Sequence, residues 1–209
     1  MTSPEATTQT DTATTALIDG AVSLLADHGP GSLSVRKVAD HAGLTTMAVY
    51  SRFGNKATLM NAVYRRGFEI LAATMSDVAE PDPLSRLRGL VVAYRDFAVA
   101  NPALYSLMFE HLVGFDPPDE LRTETTHATL GIVVDAAREA IDQGQLAATD
   151  PLNAAYIIWA TTHGAVSLSL VHTARSPRPG SFLETDQAAE DFLHQALDAT
   201  LNGLAPQPD

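Results

Sequence analysis

Apolar positions recur at helical spacing along nearly the whole chain. Leu17, Ala21, Leu24, Leu25 and His28 fall on one side of a helix that Gly29-Pro30-Gly31 stops. Ser34 is placed to cap a second helix through about His41, and Ala42-Gly43-Leu44 then turns the chain, with Gly43 free to take a positive φ. Thr45 caps a third helix through Phe53, and Asn55 caps a fourth, long one reaching about Met75. Further helices are predicted from Pro83 to about Ala100, Pro102 to His111, Glu120 to Gly144, Pro151 to about Ala174, and Thr185 or Asp186 to about Leu201. GFDPPD (114–119) and SPRPG (176–180) read as loops. No stretch combines β-branched enrichment, alternation and hairpin turns. The pattern therefore predicts an all-α chain of about nine helices. A small N-terminal region spans 12–58, a fourth helix over 55–75 links it onward, and a larger helical region spans 76–204. Residues 1–11, polar and with nothing to bury, are expected to be a disordered tail.

Two of these helices carry directional information. In the third, at about 100° per residue, an inward Val49 places Phe53 and Thr45 about 40° to either side. Met47 and Ser51 then point nearly opposite, with Tyr50 and Ala48 on the flanks. The helix 151–174 is apolar on nearly every side, and such a helix must be covered all round. Small residues such as Gly164 and Ala165 permit close approach of another helix. Phe192, Leu193, Ala196, Leu197 and Leu201 make a stripe on the last helix. With Ala165, Leu168 and Val171 they predict a two-fold, four-helix homodimer interface; the alternative is a monomer whose own core hides both helices.

Composition narrows the chemistry. Hydrophobic residues make up 45% of the chain and charged ones 18%, enough for a substantial core. With no cysteine, disulfides, thiol catalysis and Cys-based zinc sites are excluded. The seven histidines show no two-ligand helix spacing, so no metal is expected. Neither a Gly-x-Ser-x-Gly elbow, a phosphate loop nor His-Glu-x-x-His is present, so the chain does not read as an enzyme and calls for no cofactor. The N-terminus lacks the basic and apolar segments of a secretory signal, and no run is long enough for a membrane span; a soluble, cytoplasmic protein is expected.

Charge changes the picture most. The chain carries a formal −12, yet Ser34–Arg66 holds Arg36, Lys37, Arg52, Lys56, Arg65 and Arg66 against Asp40 alone, a balance of +5. Everything else sums to −17. A compact basic patch on an acidic body is the footprint of a polyanion-binding module.

Two short helices joined by a glycine turn match the helix-turn-helix, whose second helix enters the DNA major groove. On that reading Met47 and Ala48 touch thymine methyl groups, and Tyr50 and Ser51 reach phosphates or base edges. Arg36 binds guanine, and Lys56 holds a phosphate assisted by the N–H groups of its helix. Arg52, close to the buried side, makes either a DNA contact or an internal salt bridge. Ser34, Thr45 and Thr46 complete the candidate set.

The segment SVRKVADHAGLTTMAVYSRFGNKATL resembles the DNA-binding region of TetR/AcrR-type transcriptional regulators, with Val38-Ala39, Ala42-Gly43-Leu44, Thr45, Val49-Tyr50, Phe53 and Lys56 in order and spacing. Met47 stands where that family usually has a small residue and Arg52 where His is common. AYRDFAVANPALYSLMF, GQLAATDPLNAAYIIWATTHGAVSLSL and the spacing Trp159…His163-Gly164 resemble the ligand-binding half of a subgroup named for its Trp-His-Gly signature. The resemblance implies a homodimeric regulator, a repressor, that binds a palindromic double-stranded DNA operator and answers a small-molecule effector in its second half. Tyr94, Phe97, Tyr105, Met108, Phe109, Trp159 and His163 are the candidate pocket residues; core packing is the alternative for each, and a hydrogen-bonded core histidine for His163. The rival class is an all-α small-molecule-binding or interaction protein that keeps the fold without binding DNA.

Overall fold

A computed structural model describes residues 4–29, 31, 33–110, 114–174 and 185–207, with backbone alone for 4–11 and 171–174. The predicted SPRPG loop, His111 and the side chain of Val171 lie outside the described residues. Among those residues the chain is all-α, with no strand: α1 (Pro4–His28), α2 (Val35–His41), α3 (Thr46–Phe53), α4 (Lys56–Ser76), α5 (Pro83–Ala100), α6 (Pro102–Phe109), α7 (Asp119–Asp142), α8 (Pro151–Ala174) and α9 (Asp186–Leu204). None of these helices is long and apolar enough to cross a membrane.

Local chemistry sets most of the boundaries. The Ser34 hydroxyl accepts from the Lys37 N–H at 3.2 Å, and the Thr45 hydroxyl from the Ala48 N–H at 3.2 Å. Asn55 accepts from the Thr58 N–H at 2.9 Å and Thr185 from the Ala188 N–H at 3.0 Å. Each cap satisfies one of the N–H groups that a helix start leaves without an internal acceptor. Gly43 ends the α2 turn at φ 66°, where a Cβ would be strained. One boundary differs from expectation: α1 is helical from Pro4, through most of the segment expected to be disordered. Between Pro4 and Ile18 no glycine or second proline interrupts the run, and Pro4 sits at the first turn, where proline is tolerated.

The chain divides into two compact units. The first takes residues 1–70 with 101–125, hence α1 to α3, α4 as far as Ile70, α6 and the start of α7. Leu17, Leu25, Val38 and Val49 are fully buried in it. Farther along α4, Tyr64, Phe68, Tyr105 and Phe109 form an aromatic cluster, with ring centroids 4.9–5.4 Å apart between successive members. Gly67 lets α4 and α6 approach, since a Cβ there would stand 2.6 Å from the Met108 sulfur.

The second unit takes residues 71–100 with 126–209: the end of α4, α5, most of α7, α8 and α9. There α8 packs on α5 and α9. Ala154, Ala155, Ile158, Thr162, Ala165, Val166 and Ser169 face inward, while Leu152, Tyr156, Ile157, Ala160 and Leu168 face water. Of the residues expected at a dimer interface, Ala165, Leu193, Leu197 and Leu201 are buried within this chain, where they pack the inward sides of α8 and α9. Phe192 and Ala196 are half-buried, and Leu168 is 51% exposed.

Candidate nucleic-acid interface

Helix α3 is held from behind. Val49 is fully buried and Phe53 nearly so, and α3 packs on both α1 and α2. The opposite side therefore stays in water: Met47 is 74% exposed and Tyr50 52%. Thr46 and Ser51 are exposed as well, and Ala48 is half-buried on the flank.

Hydrogen bonds separate the candidate donors into those that face out and those that do not. Ser51 donates to the Ala48 carbonyl at 3.1 Å. Arg52 bends back along its own helix, donating from Nη1 to the Ala48 carbonyl at 3.2 Å and to the Ser51 hydroxyl at 3.4 Å. Of the two roles open to Arg52, neither an internal salt bridge nor an outward donor is what the geometry shows. Its Nε is buried with no hydrogen-bond partner, the kind of unsatisfied group that folded chains keep few of. Ser34 and Thr45 have their oxygens committed to caps, each with a hydroxyl proton still to donate.

The positive charge is similarly reduced and concentrated. Arg65 pairs with Glu124 of α7, and Arg66 with Asp19 of α1 at 3.3 Å and Glu69 at 3.6 Å. Neither belongs to the open patch that the sequence count suggested. What remains is Arg36, Lys37 and Lys56, all exposed, with Arg36 only loosely tied to Asp40 at 3.8 Å. Lys37 was not among the expected contacts; its place beside Arg36 on one short helix was the signal.

The seven candidate pocket residues are divided. Tyr105, Met108 and Phe109 pack within the first unit. In the second, the Tyr94 hydroxyl meets His163 Nδ1 at 2.7 Å, and the His163 ring stacks on Trp159 at 5.0 Å with 22° between planes. Burial pushes the His163 pKa down, favouring the neutral imidazole. Phe97 is buried on the same helix as Tyr94.

Beside this trio a cleft opens, lined by Tyr94 and Trp159 and by Met75, Leu87, Leu90, Val91, Val133, Ile158 and Thr162. Counted with the part open to solvent, its empty space is about 280 Å³. Those last seven residues escaped the sequence reading, because one-dimensional periodicity marks them as core without saying where the core stops short of closing. Among the described residues no cluster of His, Asp or Glu is placed to hold a metal ion.

Comparison with known proteins now decides the family. The family model for the tetracyclin repressor-like C-terminal domain matches residues 87–200, more than half of the chain, and that for bacterial regulatory proteins of the tetR family matches 17–63. The chain belongs to the TetR family. The transcriptional repressor KstR2 of Rhodococcus jostii is 25% identical to this TetR-family chain over 192 residues, covering 88% of it and 89% of KstR2. The HTH-type transcriptional regulator Mb1846 of Mycobacterium bovis is 28% identical over 132 residues, 60% of this chain, but the match spans only 56% of that relative. A solved Rhodococcus sp. RHA1 protein described as of unknown function superposes with a TM-score of 0.74 at 26% identity, covering 93% of this chain and 96% of its own. The tetR-family match takes in α2, α3 and the whole outward face just described, and the C-terminal match takes in most of the cleft.

Proposed function

We propose that the chain is a homodimeric, ligand-responsive transcriptional repressor that grips a palindromic operator and changes its grip when a small molecule fills the cleft of the second unit. The observation that carries the reading is the outward face of α3. Met47 and Tyr50 stand in water on a helix pinned from behind, flanked by Arg36, Lys37 and Lys56. Apolar contact with thymine methyl groups suits Met47, and phosphate or base-edge contact suits Tyr50 and the basic trio. Because Ser51 and Arg52 are turned back, the head is poor in strong donors, and shape-dependent readout of the duplex supplements it. Such a head needs its twin. The stripe Leu152, Tyr156, Ile157 and Leu168 on α8, with Ala160 and Gly164 between, is the surface a second copy would cover.

One helix connects effector to head in this scheme. α4 carries Lys56 at one end and Met75, a wall of the cleft, near the other. A ligand wedged against Met75 biases α4, and with it the separation of the two heads across the dimer.

The test is fluorescence anisotropy with duplex fragments taken from around the chain's own coding region, across a salt series. Specific, salt-dependent binding is expected, and Arg36→Ala with Tyr50→Ala should abolish it while far-UV circular dichroism stays unchanged. No salt-dependent binding to any such fragment would sink the proposal.

A further inference from the structure

We infer that the cleft beside Trp159 takes an uncharged effector through a hydrocarbon or alicyclic portion, and rejects the same skeleton bearing a full charge of either sign. This rests on the effector role proposed above and names the chemical class that role requires.

Charge follows from the walls. α8 has no Asp, Glu, Lys or Arg in any of its 24 residues, and the last six residues of α4 have none either. The arginines of α5 are already engaged: Arg86 with Glu139, Arg88 with Asp198, and Arg95 with Asp96 and Glu190. On the second-unit part of α7, Asp135 pairs with Arg138, and Asp142 is exposed.

The polar side chains in the lining do not alter this. The Thr162 hydroxyl donates to the Ile158 carbonyl at 2.8 Å, within its own helix. The Tyr94 hydroxyl is joined to His163, whose burial favours the neutral ring. A carboxylate or ammonium drawn into the cleft would thus lose its water and meet no counter-charge, the costliest form of burial. An apolar chain in the same place gains free energy with each methylene removed from water.

Trp159 is the only tryptophan of the chain and lines the cleft, so its emission reports occupancy directly. The experiment titrates the full-length protein, without DNA, with 1-octanol, octanoate and octylammonium at pH 7.5, where the first is neutral and the others are charged. Octanol is expected to give a saturable change in Trp159 emission, and the two charged analogues to need at least tenfold higher concentration for half the change. Val91→Phe, which fills the cleft, should weaken the octanol response at least tenfold. Equal or tighter binding of either charged analogue overturns the inference, as does a flat response to all three. An undiminished response in a folded Val91→Phe protein removes the ligand from this cleft; should that variant not fold, the three-ligand series on the unmodified chain still decides the charge preference. Because no DNA is present, failure here leaves the operator proposal standing, and failure of operator binding leaves this titration readable.

Discussion

Helices α3 and α8 both hold apolar side chains out in water, and they arrive there by different routes. α3 has eight residues, and its two strong anchors, Val49 and Phe53, lie on one side. Polar residues on the other side make its orientation unambiguous, so the exposure of Met47 follows from the sequence. α8 has 24 residues without a charge and is apolar nearly all round. Its outward set, Leu152, Tyr156, Ile157 and Leu168, is decided only by what α5 and α9 cover. An exposed methionine on an amphipathic helix is a local statement; an exposed leucine on a uniformly apolar helix is a tertiary one.

The largest effects should separate the covered and open sides of that second helical pair. Leu197 of α9 is 0% exposed, and Leu197→Ala should lower the chain's unfolding free energy by about 2–5 kcal/mol in urea titration. Leu168→Ala should change it by less than about 0.5 kcal/mol at concentrations where the protein is monomeric. Leu168→Glu should instead shift the sedimentation equilibrium toward monomer. If Leu168→Ala costs as much as Leu197→Ala at every concentration, the sidedness assigned to α8 is wrong.

Next in size are the contacts of the α3 face. Tyr50→Ala or Arg36→Ala should each weaken operator binding by about 1–3 kcal/mol, roughly five- to 150-fold. Arg52→Ala should do far less, because its guanidinium is spent on the Ala48 carbonyl. A loss with Arg52→Ala equal to that of Tyr50→Ala would mean the side chain swings out on DNA. Thr45→Ala removes the cap of the same helix and should cost about 1 kcal/mol of stability, read by thermal melting.

How much could be read in advance follows the same division. The α2 and α3 boundaries, the Ser34, Thr45 and Asn55 caps and the positive φ of Gly43 all rest on interactions within four residues, and these are visible in a sequence. The proline-started helices α5 and α8 are likewise legible. The burial of Leu193, Leu197 and Leu201, the packing of Tyr105, Met108 and Phe109 within the first unit, and the walls of the cleft depend on partners dozens of residues away. Arg52 is a subtler case: its sequence position allowed two directions, and the side chain took a third, back along its own helix.

The smallest effect tests the charge division itself. Counting along the chain gives Arg65 and Arg66 the same weight as Lys56, but the structure pairs Arg65 with Glu124, and Arg66 with Asp19 and Glu69. These pairs are half exposed, so each is worth about 0.2–1 kcal/mol and weakens as salt rises. Arg66→Ala should therefore cost a few tenths of a kcal/mol in low-salt unfolding, with the loss fading at high salt, and leave operator affinity unchanged. Lys56→Ala should do the reverse, sparing stability and lowering the slope of log affinity against log salt by about one for each lysine lost. Should Arg66→Ala flatten that slope as much as Lys56→Ala does, the basic surface extends along α4 well past its first turn, and the contrast between paired and open basic residues loses its meaning for DNA binding.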